Sequence, residues 1–146
     1  MKHFRYKYER LLNLKEIEEK KEFAELSRIR NQIEEENRKI DMLKNKIEEL
    51  RKKVSELEYF SVDDLRYYSL KNREHENEIL NINKVIEDLK EKEIKQNDKV
   101  IEIRKNRKIL EKLKEKHKMD FFREQNKALN NFMDELANQR FNRKKP

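Results

Sequence analysis

The chain has 146 residues and a net charge of +7, is 47% charged and 34% hydrophobic, and contains no Gly, Trp or Cys and a single Pro. A compact domain needs turns, and turns depend on Gly and Pro, so an ordinary globule is excluded and disorder or very long helices remain. Without Cys there is neither a disulfide nor a thiolate metal site, and no stretch approaches the roughly 18 consecutive apolar residues of a membrane span.

Helix 1 is expected from about residue 4 to about residue 58. From Leu26 onward an a/d pattern runs without a phase error. Leu26, Ile33, Ile40, Ile47 and Val54 occupy a; Ile29, Glu36, Leu43, Leu50 and Leu57 occupy d. The strict alternation of three- and four-residue spacings over several heptads is a coiled-coil signature, and it decides against disorder. Acid-then-base pairs at i,i+4 flank the seam: Glu34/Arg38, Glu35/Lys39, Glu48/Lys52 and Glu49/Lys53. The charged amino terminus is not followed by the apolar run of a secretory signal, so a cytosolic chain is expected.

A turn is expected at about 59–61. Ser61 is placed to cap the next helix, with Asp64 three residues on as its reciprocal partner. Phe60 and Leu65 can form a hydrophobic staple across that cap. Asp63 and Asp64 sit where the helix dipole favours negative charge.

Helix 2 is expected from about 62 to about 140. Its a positions are Leu65, Asn72, Ile79, Ile86, Glu93, Val100 and Arg107; its d positions are Tyr68, His75, Ile82, Leu89, Gln96, Ile103 and Leu110. Beyond Leu110 the apolar pattern slips by about one residue to Leu129, Phe132 and Leu136, a stutter that locally unwinds a supercoil. Folding back at the turn pairs residues whose numbers add to about 122, so that each a meets a d, as antiparallel packing requires. Val54 then faces Tyr68, Leu43 faces Ile79, Ile40 faces Ile82, and Ile33 faces Leu89; Glu36 faces Ile86, and Glu93 faces Ile29.

The expected fold is therefore all-α, a single-domain antiparallel coiled-coil hairpin over 1–146 with a longer second helix, monomeric because its seam is satisfied within the chain. At 1.5 Å per residue the helices are about 80 Å and close to 120 Å long, which leaves residues beyond about 118 without a partner from helix 1. That overhang carries Phe121, Phe122, Leu129, Phe132, Leu136 and Phe141, an apolar stripe that implies another molecule. Phe4, Tyr6 and Tyr8 lie at the same end. Two readings of these aromatics stand: packing between the last turns of the helices, or a docking surface. Around the turn, Tyr59 and Tyr67 are candidate tip contacts.

Charge follows the same axis. Lys2, Arg5, Lys7, Arg10 and Lys15 stand against Glu9 alone; eight Lys and Arg between 104 and 118 stand against Glu111 and Glu115; Arg140, Arg143, Lys144 and Lys145 follow. The turn carries Glu56, Glu58, Asp63 and Asp64 with no base. Catalytic, cofactor and metal sites are not expected. The chain has no Gly for a phosphate loop, no Ser or Cys set with a His and an acid, and a rod offers no cavity that excludes water. His75 and His117 fall at d positions and read as seam residues, while Glu74, His75 and Glu76 diverge around the helix.

Two stretches carry a family resemblance. Phe4-Arg5-Tyr6 with Leu11-Leu12-Asn13-Leu14-Lys15-Glu16 resembles the start of the flagellar FliJ proteins, and Asp134-Glu135-Leu136-Ala137 with Arg140-Phe141 resembles their ending. Length, basic balance and a longer second helix are similar too. The resemblance implies a non-enzymatic stalk of the flagellar type III protein export apparatus, cytoplasmic and peripheral to the membrane at the flagellar base. It implies a hexameric export ATPase whose ring receives the terminal end and is stimulated by it, the cytoplasmic domain of the export gate, and export chaperones. The residues expected at the ring are Phe4, Tyr8, Leu11, Leu12, Phe121, Phe122, Leu129, Phe132, Leu136, Arg140 and Phe141. The stalk subunits of virulence secretion systems look alike, and a basic coiled-coil nucleic-acid binder is the alternative from another class. Against that alternative, the bases are split among three segments instead of forming one region beside a parallel zipper.

Overall fold

The computed structural model describes residues 2–143. The helices are α1, Glu9–Glu56, and α2, Val62–Arg143, of 48 and 82 residues, packed antiparallel. No strand occurs among the described residues. Contacts divide the chain into two units, Lys20–Val100 and Met1–Glu19 with Ile101–Pro146.

The first unit contains the turn. Its cap is reciprocal: the Asp64 N–H donates to Ser61 Oγ at 3.1 Å, and the Ser61 N–H donates to Asp64 Oδ2 at 3.3 Å. With the Leu65 N–H bonded to the Ser61 carbonyl (3.2 Å), Ser61 satisfies donors that would otherwise be orphaned at the start of α2. At the other side of the turn α1 stops without a glycine. Its last turn tightens as the Leu57 N–H bonds to Val54 (3.4 Å) and the Ser55 hydroxyl donates to the Lys52 carbonyl (2.7 Å). Leu57 and Leu65 are exposed, so the apolar seam closes at Val54 and Tyr68, one layer short of the turn.

Between those layers the side chains follow the heptads. Ile29, Ile33, Ile40 and Ile86 form a buried cluster with Ile79, Ile82 and Leu89 packed on it, drawing a and d residues of both helices into one core. Leu26 is only 1% exposed, the most buried large side chain of this unit. Polar seam residues find partners across the helices. Gln96 Nε2 donates to the Glu22 carbonyl (2.9 Å) and to Glu22 Oε2 (2.6 Å), Lys99 pairs with Glu22 at 3.4 Å, and Arg30 pairs with Glu93 at 3.7 Å. Asn72 and His75 are different: half-buried at consecutive seam positions, each keeps a buried atom, Oδ1 and Nδ1, without a hydrogen-bond partner. Among the flanking pairs Glu34–Arg38 forms at 2.9 Å, but Lys39 turns to Glu36 and Arg51 to Glu48, both at i,i+3. Such exposed pairs exchange freely because each contributes little.

The second unit differs from the heptad reading at its start. Helix α1 begins at Glu9 and not near residue 4, and residues 2–8 form a non-helical strap along α2. The cause is tertiary. Tyr6 is buried and its hydroxyl donates to the Leu110 carbonyl at 2.8 Å, its ring lies edge-on to His117 at 5.7 Å, and the Phe4 ring packs at a tilt of 55° against Phe121, ring centres 5.7 Å apart. Gln125 Nε2 reaches the Lys2 carbonyl at 3.0 Å. Burial, then the neighbouring Tyr8 and Glu9, pushes the Tyr6 hydroxyl above its ordinary pKa. The strap carries cover as far as Gln125, so the overhang begins near residue 126 and not near 118. Past Leu110 the seam stays in phase through Lys114, His117 and Phe121, all half-buried, before the slip expected by Leu129.

Among the described residues of this unit Leu12 and Ile103 are the buried aliphatic ones. Beside them Glu19 stands at an a position and accepts from Arg104 Nε (2.9 Å) and from Arg107, whose other arm reaches Glu111 at 2.6 Å. Burial pushes the Glu19 carboxyl up, but the two guanidinium groups outweigh it and hold the pKa below the ordinary carboxylate value. Lys114 straddles the Glu9 carboxylate, at 3.0 and 2.8 Å from its two oxygens.

Candidate partner-binding site

The residues expected at a partner surface separate into two groups. Leu12, 4% exposed, and Phe4 with Phe121 are used inside the hairpin. Tyr8 leans edge-on against Tyr6 at 5.8 Å, with the Lys7 amine 5.7 Å from its ring centre. The second group is exposed on α2: Phe122, Leu129, Phe132, Leu136 and Phe141, with Arg140 among them and Leu11 on α1. Phe122 touches the strap-bound ring of Phe121 edge-on at 5.6 Å, so the two groups adjoin.

Two exposed residues join this surface that the aromatic pattern alone does not select, Met119 and Met133. Met119, Phe122, Asn126, Leu129, Met133 and Leu136 are spaced 3, 4, 3, 4 and 3, a second heptad line distinct from the hairpin seam. Counting about 100° per residue, it runs roughly 110° round α2 from the side that carries His117, Phe121 and Gln125. Phe132 points nearer that first side. The signal is in the sequence, but it is visible only when the methionines are counted as seam residues, a role their flexible thioethers suit.

Several of the bases expected to give this unit its charge are tied up internally. Arg104 and Arg107 bind Glu19, Lys114 binds Glu9, and Lys15 binds Glu18 at 3.3 Å. Lys105, Lys108, Lys112, Lys116 and Lys118 stay exposed, and the first three of these help to line a shallow groove with Ile101 and Ile109. Lys144 and Lys145 lie outside the described residues. In the turn unit Tyr59 is 87% exposed, and Tyr67 is exposed with its ring edge-on to Tyr68 at 5.6 Å. Both are available at the surface, one in the loop and one in the second turn of α2.

Among the described residues no group of three His, Asp or Glu could hold a metal ion, and no helix is long and apolar enough to cross a membrane. No curated protein and no solved structure matches the chain. A family model described as Flagellar FliJ protein matches residues 4–146, spanning both terminal stretches, most of the strap, the turn and the exposed heptad line. The chain belongs to the FliJ family of flagellar-export-related coiled-coil proteins.

Proposed function

We propose that this chain is a non-enzymatic stalk of the flagellar type III export apparatus, working in the cytoplasm at the flagellar base. Its terminal unit enters the ring of the export ATPase and stimulates hydrolysis, and its turn unit contacts another export component, the cytoplasmic domain of the export gate. The observation that carries this reading is the run of exposed apolar side chains from Phe122 to Leu136, on a helix whose opposite partner has already ended. Apolar surface of this extent is costly in water unless another molecule covers it. Seam burial holds the two helices together independently of that surface, so the hairpin can fold first and dock afterwards.

Nucleic-acid binding is the weaker reading. Three of the bases between 104 and 118 already neutralise carboxylates within the hairpin, which leaves fewer free for phosphates.

The test compares two variants mixed with the purified export ATPase. One lacks residues 129–146; the other carries Tyr59→Ala with Tyr67→Ala. The truncated chain should stay helical by circular dichroism yet fail to stimulate hydrolysis or promote ring formation, and the turn variant should stimulate as the unaltered chain does. Full stimulation by the truncated chain would overturn the reading.

A further inference from the structure

The exposed heptad line on α2 is more specific than a general apolar patch. A 3,4 spacing sustained from Met119 to Leu136 fits one kind of occupant, another helix laid along α2, because only a helix presents knobs at the matching interval. The charges around the line decide which helix. Between residues 112 and 140, the half of α2 centred on the line carries Lys112, Lys118, Arg123 and Arg140 against Glu115 alone. Asp120, Glu124, Asp134 and Glu135 all fall on the other half. The segment holds seven bases against five acids, but the other half sets Lys114, Lys116 and Lys127 against its four acids, so the excess of base lies on the face that carries the line.

We infer that this face docks an acidic amphipathic helix: apolar residues at a and d against Met119, Phe122, Leu129, Met133 and Leu136, with carboxylates at its flanks against Lys112, Lys118, Arg123 and Arg140. A second copy of the chain is disfavoured on the same ground, since it would set basic half against basic half. Asn126, the one polar residue within the line, fixes the register of the incoming helix as a polar a residue does in other coiled coils. The inference deepens the reading above by naming the chemistry of what meets the terminal unit, and rests on that reading only for the occupant's being a protein.

The experiment uses the full chain and two synthetic peptides of about four heptads, both with Leu at a and d, one with Glu and the other with Lys at e and g. Fluorescence anisotropy should show the Glu peptide binding at least about tenfold tighter than the Lys peptide, with a preference that shrinks as salt rises. Lys112→Glu with Lys118→Glu and Arg123→Glu should reverse the preference, and Leu129→Asp with Met133→Asp should abolish binding of both. All five positions are exposed, and unchanged helicity of the variants confirms that the hairpin is intact. Equal affinity for the two peptides, or no binding of either, would overturn the inference. So would sedimentation as a dimer that Leu129→Asp with Met133→Asp dissolves, because a second copy would then be the occupant. No ATPase is present, so failure here leaves the ring reading standing, and failure of the truncation test leaves this result untouched.

Discussion

Leu12 and Leu129 were both expected at the partner surface, and the structure assigns them opposite fates. Leu12 is 4% exposed in the seam; Leu129 is 54% exposed on α2. Truncating a buried leucine to alanine removes its transfer free energy and leaves a cavity, together about 2–5 kcal/mol. A two-helix seam lets water in and partly collapses, so the lower part of that range applies, about 2–3 kcal/mol for Leu12→Ala. For a chain of this size that lowers Tm by about 6–12 °C. At Leu129 the alanine leaves no cavity and Ala is at least as good a helix former, so the change stays within about 0.5 kcal/mol. Thermal melts followed by circular dichroism measure both, and hydrolysis by the export ATPase measures the consequence. Leu12→Ala should melt early yet stimulate normally well below its Tm, whereas Leu129→Ala should melt like the unaltered chain and stimulate less. If Leu129→Ala destabilises as much as Leu12→Ala, the exposed face is part of the fold and the separation of the two groups is wrong.

Three further outcomes follow from the seam and the turn. Ser61→Ala should cost about 1 kcal/mol through loss of the cap, whereas Ile40→Pro, in the middle of α1, should cost about 3 kcal/mol or more; equal losses by thermal melting would misplace the turn. Asn72→Leu with His75→Leu should stabilise the hairpin by about 1–2 kcal/mol, because both side chains keep an unpaired buried atom that the replacements do not have. Glu19 has a pKa held below its ordinary 4.5 in the folded chain, so its contribution is complete above that value and lost as pH falls through the lowered one. The Tm difference between the unaltered chain and Glu19→Gln should therefore be constant near neutral pH and shrink in acid.

Most of the hairpin is legible in the sequence because its information is local and periodic. The a and d positions from Leu26 to Val54 set the buried face of α1, and Ser61 with Asp64 sets the turn through atoms three residues apart. The amino-terminal strap is not legible in that way. Phe4-Arg5-Tyr6 carries no local signal against continuing the helix, and what stops it is the Leu110 carbonyl waiting for the Tyr6 hydroxyl 104 positions away. The strap in turn decides which aromatics are available, covering Phe121 and leaving Phe122 exposed, though the two are neighbours in sequence. Glu19 illustrates the same limit: an acid at an a position reads as a weak point until Arg104 and Arg107 are seen to meet it. Residue types alone select aromatics, leucines and Arg140 for the partner surface; the structure buries Leu12 in the seam and leaves Met119 and Met133 exposed beside the others.

In the proposed arrangement the ATPase ring receives the terminal unit and not the turn. A photoreactive side chain placed singly at Leu129, Leu136, Tyr59 or Tyr67, all exposed, and irradiated in the presence of the assembled ATPase reads this directly. Crosslinks to the ATPase from positions 129 and 136, and none from 59 and 67, are the predicted result. Crosslinks from 59 and 67 with none from 129 and 136 would contradict it.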